Sequence, residues 1–270
     1  MKRLVRFLLN SVPRRYVQRV ADKLLPLAGL FYAGRRIECP VCGSHFRRLM
    51  PYGYVDVREN ALCPRCLSLE RHRLLWLWLR RETDLFSGGE PPRLLHIAPE
   101  VCLMKPLRKL YRAAGRTADY VTADLESPLA DVKLDVQAIP FGEGSFDVVI
   151  CNHILEHVAD DRLAMRELHR ILKDGGWGIV LSPADRTLEH TFEDDSITDP
   201  AERTRIFGQY DHRRNYGRDY ADRLREAGFD VEENDYLLAF TPEEQVRYAL
   251  RSEIIYIVRK RRHAAAQPRG

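Results

Sequence analysis

Between residues 93 and 182 short unbroken runs of Val, Ile and Leu alternate with amphipathic stretches, and few folds can absorb that pattern. Strands are expected at 93–98, 119–125, 132–136, 146–152 and 177–182, with helices at about 100–113 and 159–172. A strand that is apolar on both faces must be covered on both, and a parallel sheet with crossover helices does this. A helix near 217–227, a strand opening GFDVEE and a last strand EIIYIVRK continue the series. The fold class is therefore α/β. At 270 residues and 45% hydrophobic content the chain has material for one large domain and a small satellite.

The satellite is marked by cysteines. Cys39-x-x-Cys42 and Cys63-x-x-Cys66 stand twenty residues apart, each in a turn helped by Pro40, Gly43 or Pro64. Two thiolates from each turn can fill the corners of a tetrahedron, so residues 37–70 are expected to form a β module closed by a structural Zn²⁺. A closed site of four sulfurs leaves no position for water, which assigns that metal to folding. No thioredoxin-like pattern surrounds either pair, and Cys102 and Cys151 lie alone in apolar surroundings. Residues 68–86 read as a helix with Ser68 as N-cap, and SGGEPP at 87–92 reads as a turn. The expected organisation is a basic amphipathic leader (1–36), the cysteine module (37–70), a connecting helix and linker (71–92), the main domain (93–260) and a basic tail (261–270).

Charge is unevenly spread. Residues 1–36 carry +8 and the tail from Arg259 carries +5, so within an overall +4 the body between them is at −9. That distribution argues against a surface that follows a phosphate backbone throughout. It favours basic ends that touch an anionic partner, either nucleic acid or the periphery of a membrane. The leader reads as two short amphipathic helices broken by Pro13 and Pro26. No run approaches eighteen uncharged apolar residues, and Arg6 interrupts the one stretch able to serve as a signal-peptide core. The expected location is cytoplasmic.

In an open α/β sheet, ligands lie outside the carboxyl ends of the strands, so polar residues at those ends carry the information. Asp124 closes YVTAD, Asp135 closes VKLD, and Asn152 with His153 follows the buried run FDVVIC. Asp124 is placed to accept both hydroxyls of a ribose. The stretch RLLHIAPEVC at 93–102, where a nucleotide fold usually has its glycine-rich turn, contains no glycine. A dinucleotide is disfavoured, because pyrophosphate needs a glycine-lined helix N-terminus.

Taken together, DVQAIPFGEGSFDVVICNHILEHVADDRLAMRELHRILKDGGWGIVLSP resembles the class I S-adenosylmethionine-dependent methyltransferases of the type 11 group. The resemblance implies a Rossmann-like seven-stranded methyltransferase sheet whose last strand is antiparallel, behind the N-terminal zinc-binding module. It also implies that Asp124, followed by Leu125, binds the ribose, that Asp135 and Val136 flank the adenine, and that Asn152 faces the cofactor. Aligned with the family's first motif, His96 takes the place of its acid, and Ala98, Pro99 and Glu100 replace its glycines. A Pro-Glu turn is not expected to reproduce a glycine conformation. Glu100 is expected instead to offer its carboxylate to the methionine ammonium.

HILEH at 153–157 matches a metalloprotease pattern, but that pattern needs a long helix and this one follows a strand. His153 is expected at the acceptor, and His153 and His212 are the candidate bases. The polar insert 190–220 has the length of a lid, with His190, Glu193, Asp211, Arg213 and Tyr216 as candidates for acceptor recognition. A second metal held by His190, Glu193, Asp211 and His212 is a weaker reading. The function expected is methyl transfer from S-adenosylmethionine to an O or N nucleophile of a small-molecule or glycan acceptor. The rivals are an RNA methyltransferase gripping RNA through the zinc module, and a non-catalytic binding protein on the same fold.

Overall fold

The computed structural model describes residues 29–53 and 57–262. Most of the expected leader and the tail beyond 262 lie outside those residues, and with them the expected contact to membrane or nucleic acid. No helix among the described residues is long and apolar enough to cross a membrane.

The cysteine module comes first. β1 (Ala33–Cys39) pairs antiparallel with β2 (Ser44–Phe46), and β3 (Met50–Tyr52) with β4 (Arg58–Leu62). β1 starts inside the stretch assigned to the leader, because the Arg47 N–H donates to the Tyr32 carbonyl (2.8 Å) and draws that segment in. Gly34 permits the approach, since a Cβ there would lie 2.5 Å from the Arg47 nitrogen.

α1 (Glu70–Glu82) is buried on most of its circumference from Leu74 to Leu79, as a helix apolar all round must be. Its N-cap is Leu69, not Ser68. The Leu69 N–H donates to His72 Nδ1 (3.1 Å), while the Ser68 hydroxyl is turned towards the cysteines. Trp78 meets Trp177 edge to face at 5.7 Å, so helix, module and sheet share one core.

The main domain runs β5 (Leu94–Ile97), α2 (Val101–Ala113), β6 (Tyr120–Asp124), β7 (Val132–Lys133), β8 (Phe146–Asn152), α3 (Asp161–Ile171) and β9 (Leu172–Leu181). After the insert, with its small pair β10 (Phe192–Glu193) and β11 (Arg214–Asn215) flanking α4 (Pro200–Phe207), come α5 (Tyr220–Glu226), β12 (Asp230–Asn234), α6 (Pro242–Arg247) and β13 (Ile255–Arg259). The sheet order is β12-β13-β9-β8-β5-β6-β7, and β13 is antiparallel to both neighbours. The chain leaves β5 in one direction through β6 and β7, then returns to build outward from β8. The crevice between β5 and β8 is thus the switch point where an α/β sheet binds ligands.

Two boundaries differ from expectation. β7 has two residues where five were expected, and β9 starts at Leu172 instead of 177, so that it takes in Gly175 and Gly176. These glycines belong to β9, where a Cβ on Gly176 would sit 2.8 Å from the Lys173 carbonyl and 2.9 Å from that of Asp147. α4 and α6 were not expected, although both carry start signals. Asp199 and Thr241 accept from Glu202 N and Glu244 N, and Pro200 and Pro242 open the helices. With eight and six residues, neither is long enough to show an apolar period.

Candidate functional site

At the end of β5 the glycine-free turn does what glycine would do. Ala98 holds φ at +46° and donates its N–H to the Ala123 carbonyl (2.7 Å), so a left-handed residue lies at the switch point after all. The expectation that this turn lacks a glycine conformation is corrected: the strain is carried by a side chain of a single carbon. Ala98→Gly should raise stability by roughly 0.5–1 kcal/mol, readable as a higher melting temperature, because left-handed φ costs an L-residue about 1–2 kcal/mol.

Behind the turn, Glu100 is the N-cap of α2 and its carboxylate is held from three elements. His96 Nε2 on β5 lies 3.0 Å from Oε2, Asn152 Nδ2 on β8 donates to Oε1 at 3.1 Å, and His72 Nε2 on α1 lies 3.8 Å away. His96 is itself wholly buried, with Nδ1 2.9 Å from the Tyr120 hydroxyl. Burial by itself would raise the Glu100 carboxyl, but the His96 hydrogen bond holds it well below the usual carboxylate range. His72, driven down to about 4 chiefly by burial, stays neutral. The outcome is a fixed anion with 18% of its side chain exposed at the switch point.

Asp124, at the end of β6, spends Oδ1 on the N–H groups of Glu126 (2.8 Å) and Ser127 (2.7 Å), so Oδ2 is the oxygen left for a ligand. Leu125 beside it is 51% exposed, an apolar side chain at the mouth of the crevice. Asp135 is exposed and accepts from Gln137 N at 2.9 Å, whereas Val136 is buried in the core. The carboxyl ends of β5, β6 and β7 therefore each lead into an acid.

One residue beyond Asn152 a second space opens, a cavity of about 550 Å³. His153 lines it, with φ at +55° and its ring between two carboxylates: Nδ1 is 3.4 Å from Glu156 and Nε2 is 3.5 Å from Glu253. Burial would lower this imidazole, but the two flanking carboxylates raise it to about 9. Arg58, Arg71, Arg186 and Arg251 also line the cavity. Arg58 is held by Glu70 at 2.9 Å, and the other three have no carboxylate partner among the described residues. Sequence reasoning missed these arginines. The run LERHR on α1 was its one local trace, because the four come from four separate segments.

The candidates in the insert do not converge on that cavity. Tyr216 is wholly buried and donates to Asp161 (2.8 Å), and Glu193 pairs with Arg214 (2.9 Å) and Arg223 (3.0 Å). Arg213 pairs with Asp195 at 2.6 Å, Asp211 lies 3.4 Å from His157, and His190 is exposed. His212 is buried with Nδ1 on the Phe207 carbonyl (3.1 Å) and does not line the cavity, which removes it as a base there. HILEH is a turn, not a helix. Glu156 is 1% exposed and accepts from the Ser182 hydroxyl at 2.9 Å.

The four cysteines do converge. Cys39 and Cys66 sulfurs are 3.6 Å apart and those of Cys42 and Cys63 3.8 Å, with one sulfur from each residue inside a mutual 4.8 Å. A tetrahedron with Zn–S bonds of about 2.3 Å has edges of roughly 3.8 Å, so the spacing fits. Each pair closes a similar knuckle, with Gly43 N–H on the Cys39 carbonyl (2.8 Å) and Leu67 N–H on that of Cys63 (3.0 Å). The Ser68 hydroxyl lies 3.2 Å from both the Cys39 and Cys66 sulfurs. His45 stays at the surface, facing Glu38 at 3.7 Å.

Fold and crevice define a class. Seven strands with an antiparallel β13 next to the edge make a Rossmann-like sheet, the methyltransferase fold that the sequence led us to expect. Residues 101–180 match the methyltransferase domain family. The chain is 31% identical over 119 residues to the demethylmenaquinone methyltransferase of Thermus thermophilus, covering 38% of this chain and 53% of that protein. It is 32% identical over 132 residues to the ubiquinone/menaquinone biosynthesis C-methyltransferase of Haemophilus ducreyi, covering 43% and 49%. The chain thus spans about half the length of these curated relatives. Among solved structures, an S-adenosylmethionine-dependent methyltransferase from Mesorhizobium loti superposes with a TM-score of 0.41 at 15% identity, over 69% of this chain and 98% of that one.

Proposed function

We propose that this chain transfers the methyl group of S-adenosylmethionine to an oxygen or nitrogen nucleophile on an anionic small molecule or glycan that enters the cavity at His153. The observation that carries the reading is the juxtaposition of two differently charged spaces on the end of β8. Asn152 locks the Glu100 anion into the crevice, and the next residue faces arginines.

In the crevice Glu100 faces the ammonium of the methionine part and Asp124 Oδ2 accepts from the ribose, with Asp135 towards the adenine. When bound, the cofactor supplies a methyl group on a sulfonium, which is reactive enough that positioning accounts for much of the acceleration. His153 orients the acceptor. With a carboxylate at each ring nitrogen it is held as a hydrogen-bonding cation. Arg71, Arg186 and Arg251 outnumber the unpaired acid of the lining, Asp235, and they favour an acceptor bearing phosphate or carboxylate. An apolar quinone ring, which the relatives' names point to, would leave those guanidiniums desolvated and unpaired.

The four cysteines fit a structural Zn²⁺, with the Ser68 hydroxyl 3.2 Å from the sulfurs of both Cys39 and Cys66 and able to donate to one of them. Four thiolates on Zn²⁺ leave a net charge of −2, half of which the buried Arg73 guanidinium offsets.

Mass spectrometry of the purified protein for co-purified adenosyl ligand and zinc, followed by calorimetry with S-adenosylmethionine, tests the whole assignment. Absence of binding by folded protein would favour a non-catalytic role. With a phosphorylated sugar as acceptor, Arg251→Glu should lower transfer of labelled methyl at least ten-fold while cofactor affinity stays unchanged. Equal transfer to neutral acceptors would remove the anionic specificity.

A further inference from the structure

The cavity uses His153 of the HILEH stretch, with Glu156 behind its ring, and leaves His157 without a task. Glu156 and His157 meet His212, which arrives from the insert 55 residues later in the chain. One ligand atom from each of the three lies within 4.8 Å of the others.

The tautomers are set by geometry. His212 is 6% exposed and its Nδ1 lies 3.1 Å from the Phe207 carbonyl, an oxygen that only accepts. Nδ1 therefore carries the proton, and Nε2 presents a bare lone pair. That Nε2 is buried and has no hydrogen-bond partner, an expensive arrangement for a polar atom away from water. His157 repeats the pattern, with Nδ1 3.4 Å from Asp211 Oδ2, and the two rings stand edge to face at 4.7 Å. A histidine that ligates through one nitrogen usually donates the other N–H to a carbonyl or carboxylate; His212 does so, and His157 Nδ1 faces a carboxylate. A second buried orphan, Asp211 Oδ1, lies beside them. Glu156 is anchored by Ser182 and His153 and keeps lone pairs to spare on both oxygens.

We propose that Glu156, His157 and His212 form a second metal site, separate from the four cysteines, for a divalent transition ion such as Zn²⁺. Two imidazoles and a carboxylate suit a borderline ion. Mg²⁺ and Ca²⁺ prefer all-oxygen shells, and Cu⁺ prefers sulfur. The site lies on a seam. The Arg213 N–H donates to the Glu156 carbonyl (2.9 Å), and Arg214 reaches the carbonyls of Leu155 and Val158 (both 2.7 Å), so the insert is already stitched to the turn after β8. An ion here adds a bond across that seam and fixes Glu156, which in turn holds His153. The proposal rests on the donor set alone and stands whether or not the chain transfers methyl groups.

Co²⁺ titration of the metal-stripped full-length protein separates the two sites. A thiolate site gives intense charge-transfer absorption, whereas a site of two imidazoles and a carboxylate gives weak visible bands only. The wild type should take up one ion of each kind. His212→Gln, which keeps side-chain bulk, and His157→Gln should each lose the weakly absorbing ion and keep the thiolate-bound one, a fall from two ions to one. Retention of the thiolate bands shows that the variant is folded. If the wild type shows thiolate bands alone at saturating Co²⁺, or if both variants still bind two ions, the proposal is wrong.

Discussion

Asp124→Asn is expected to lower the affinity for S-adenosylmethionine by about 10²- to 10⁴-fold without unfolding the protein. The Asp124 carboxylate has two separate tasks in this fold. Oδ1 ties down the turn by accepting from Glu126 and Ser127, and Oδ2 is the oxygen proposed to accept from the ribose. Asparagine keeps an oxygen for the turn and replaces the other with a donor that cannot accept from two hydroxyls. Hydrogen bonds to a charged partner contribute about 1.5–3 kcal/mol each, so losing two spans roughly 3–6 kcal/mol, and every 1.4 kcal/mol is about ten-fold. Alanine would remove both functions at once and confuse loss of binding with loss of the turn. Calorimetry on Asp124→Asn with an unchanged melting temperature is the cleaner measurement. Affinity within about three-fold of wild type would refute the ribose assignment.

Arg73→Met should destabilise the protein by about 3–5 kcal/mol, out of the roughly 5–15 kcal/mol typical of a folded domain. Arg73 is wholly buried, and its guanidinium donates to four carbonyls: Ala61 (2.9 Å), Ser68 (2.8 Å), Tyr248 (2.9 Å) and Ala249 (2.6 Å). The first pair belongs to the cysteine module and the second follows α6, so one side chain joins residues that are far apart in the chain. Methionine fills much of the volume and abandons four buried acceptors. The melting temperature should fall by roughly 6–20 °C. Arg73→Lys keeps the charge but not the planar fork, and should recover only part of the loss. A fall of less than about 2 °C for the methionine variant would mean that water replaces the guanidinium at this junction.

The Arg73 junction also shows where sequence reading stops. On α1 Arg73 looks like one of several surface arginines, since nothing within a helical turn of it announces four carbonyl partners. Ala98 is the complementary case. Its neighbours pointed away from a left-handed turn, yet the Ala123 carbonyl captures its N–H and the strand ends impose the conformation. Glu100 was legible as an acid at the end of the first sheet strand, but the clamp of His96, Asn152 and His72 around it was not, because these residues sit on three different elements. The insert was read by composition, which listed its charged residues without showing that Glu193 and Tyr216 are already engaged by Arg214, Arg223 and Asp161.

By itself, the sequence determined the features whose physics is local or periodic. The spacing within each C-x-x-C sets which sulfurs can share a tetrahedron. The runs of Val, Ile and Leu require a sheet covered on both faces, and an acid at a strand end lies beside a crevice whichever way the crossovers pack. Tertiary structure alone decided the arginine-lined cavity, the guanidinium bridge at Arg73, and the meeting of Glu156 and His157 with His212. Each of these rests on contacts between segments tens of residues apart or more, formed when the sheet order and the docked module bring the segments together. Neither propensity nor periodicity over a short window carries that information.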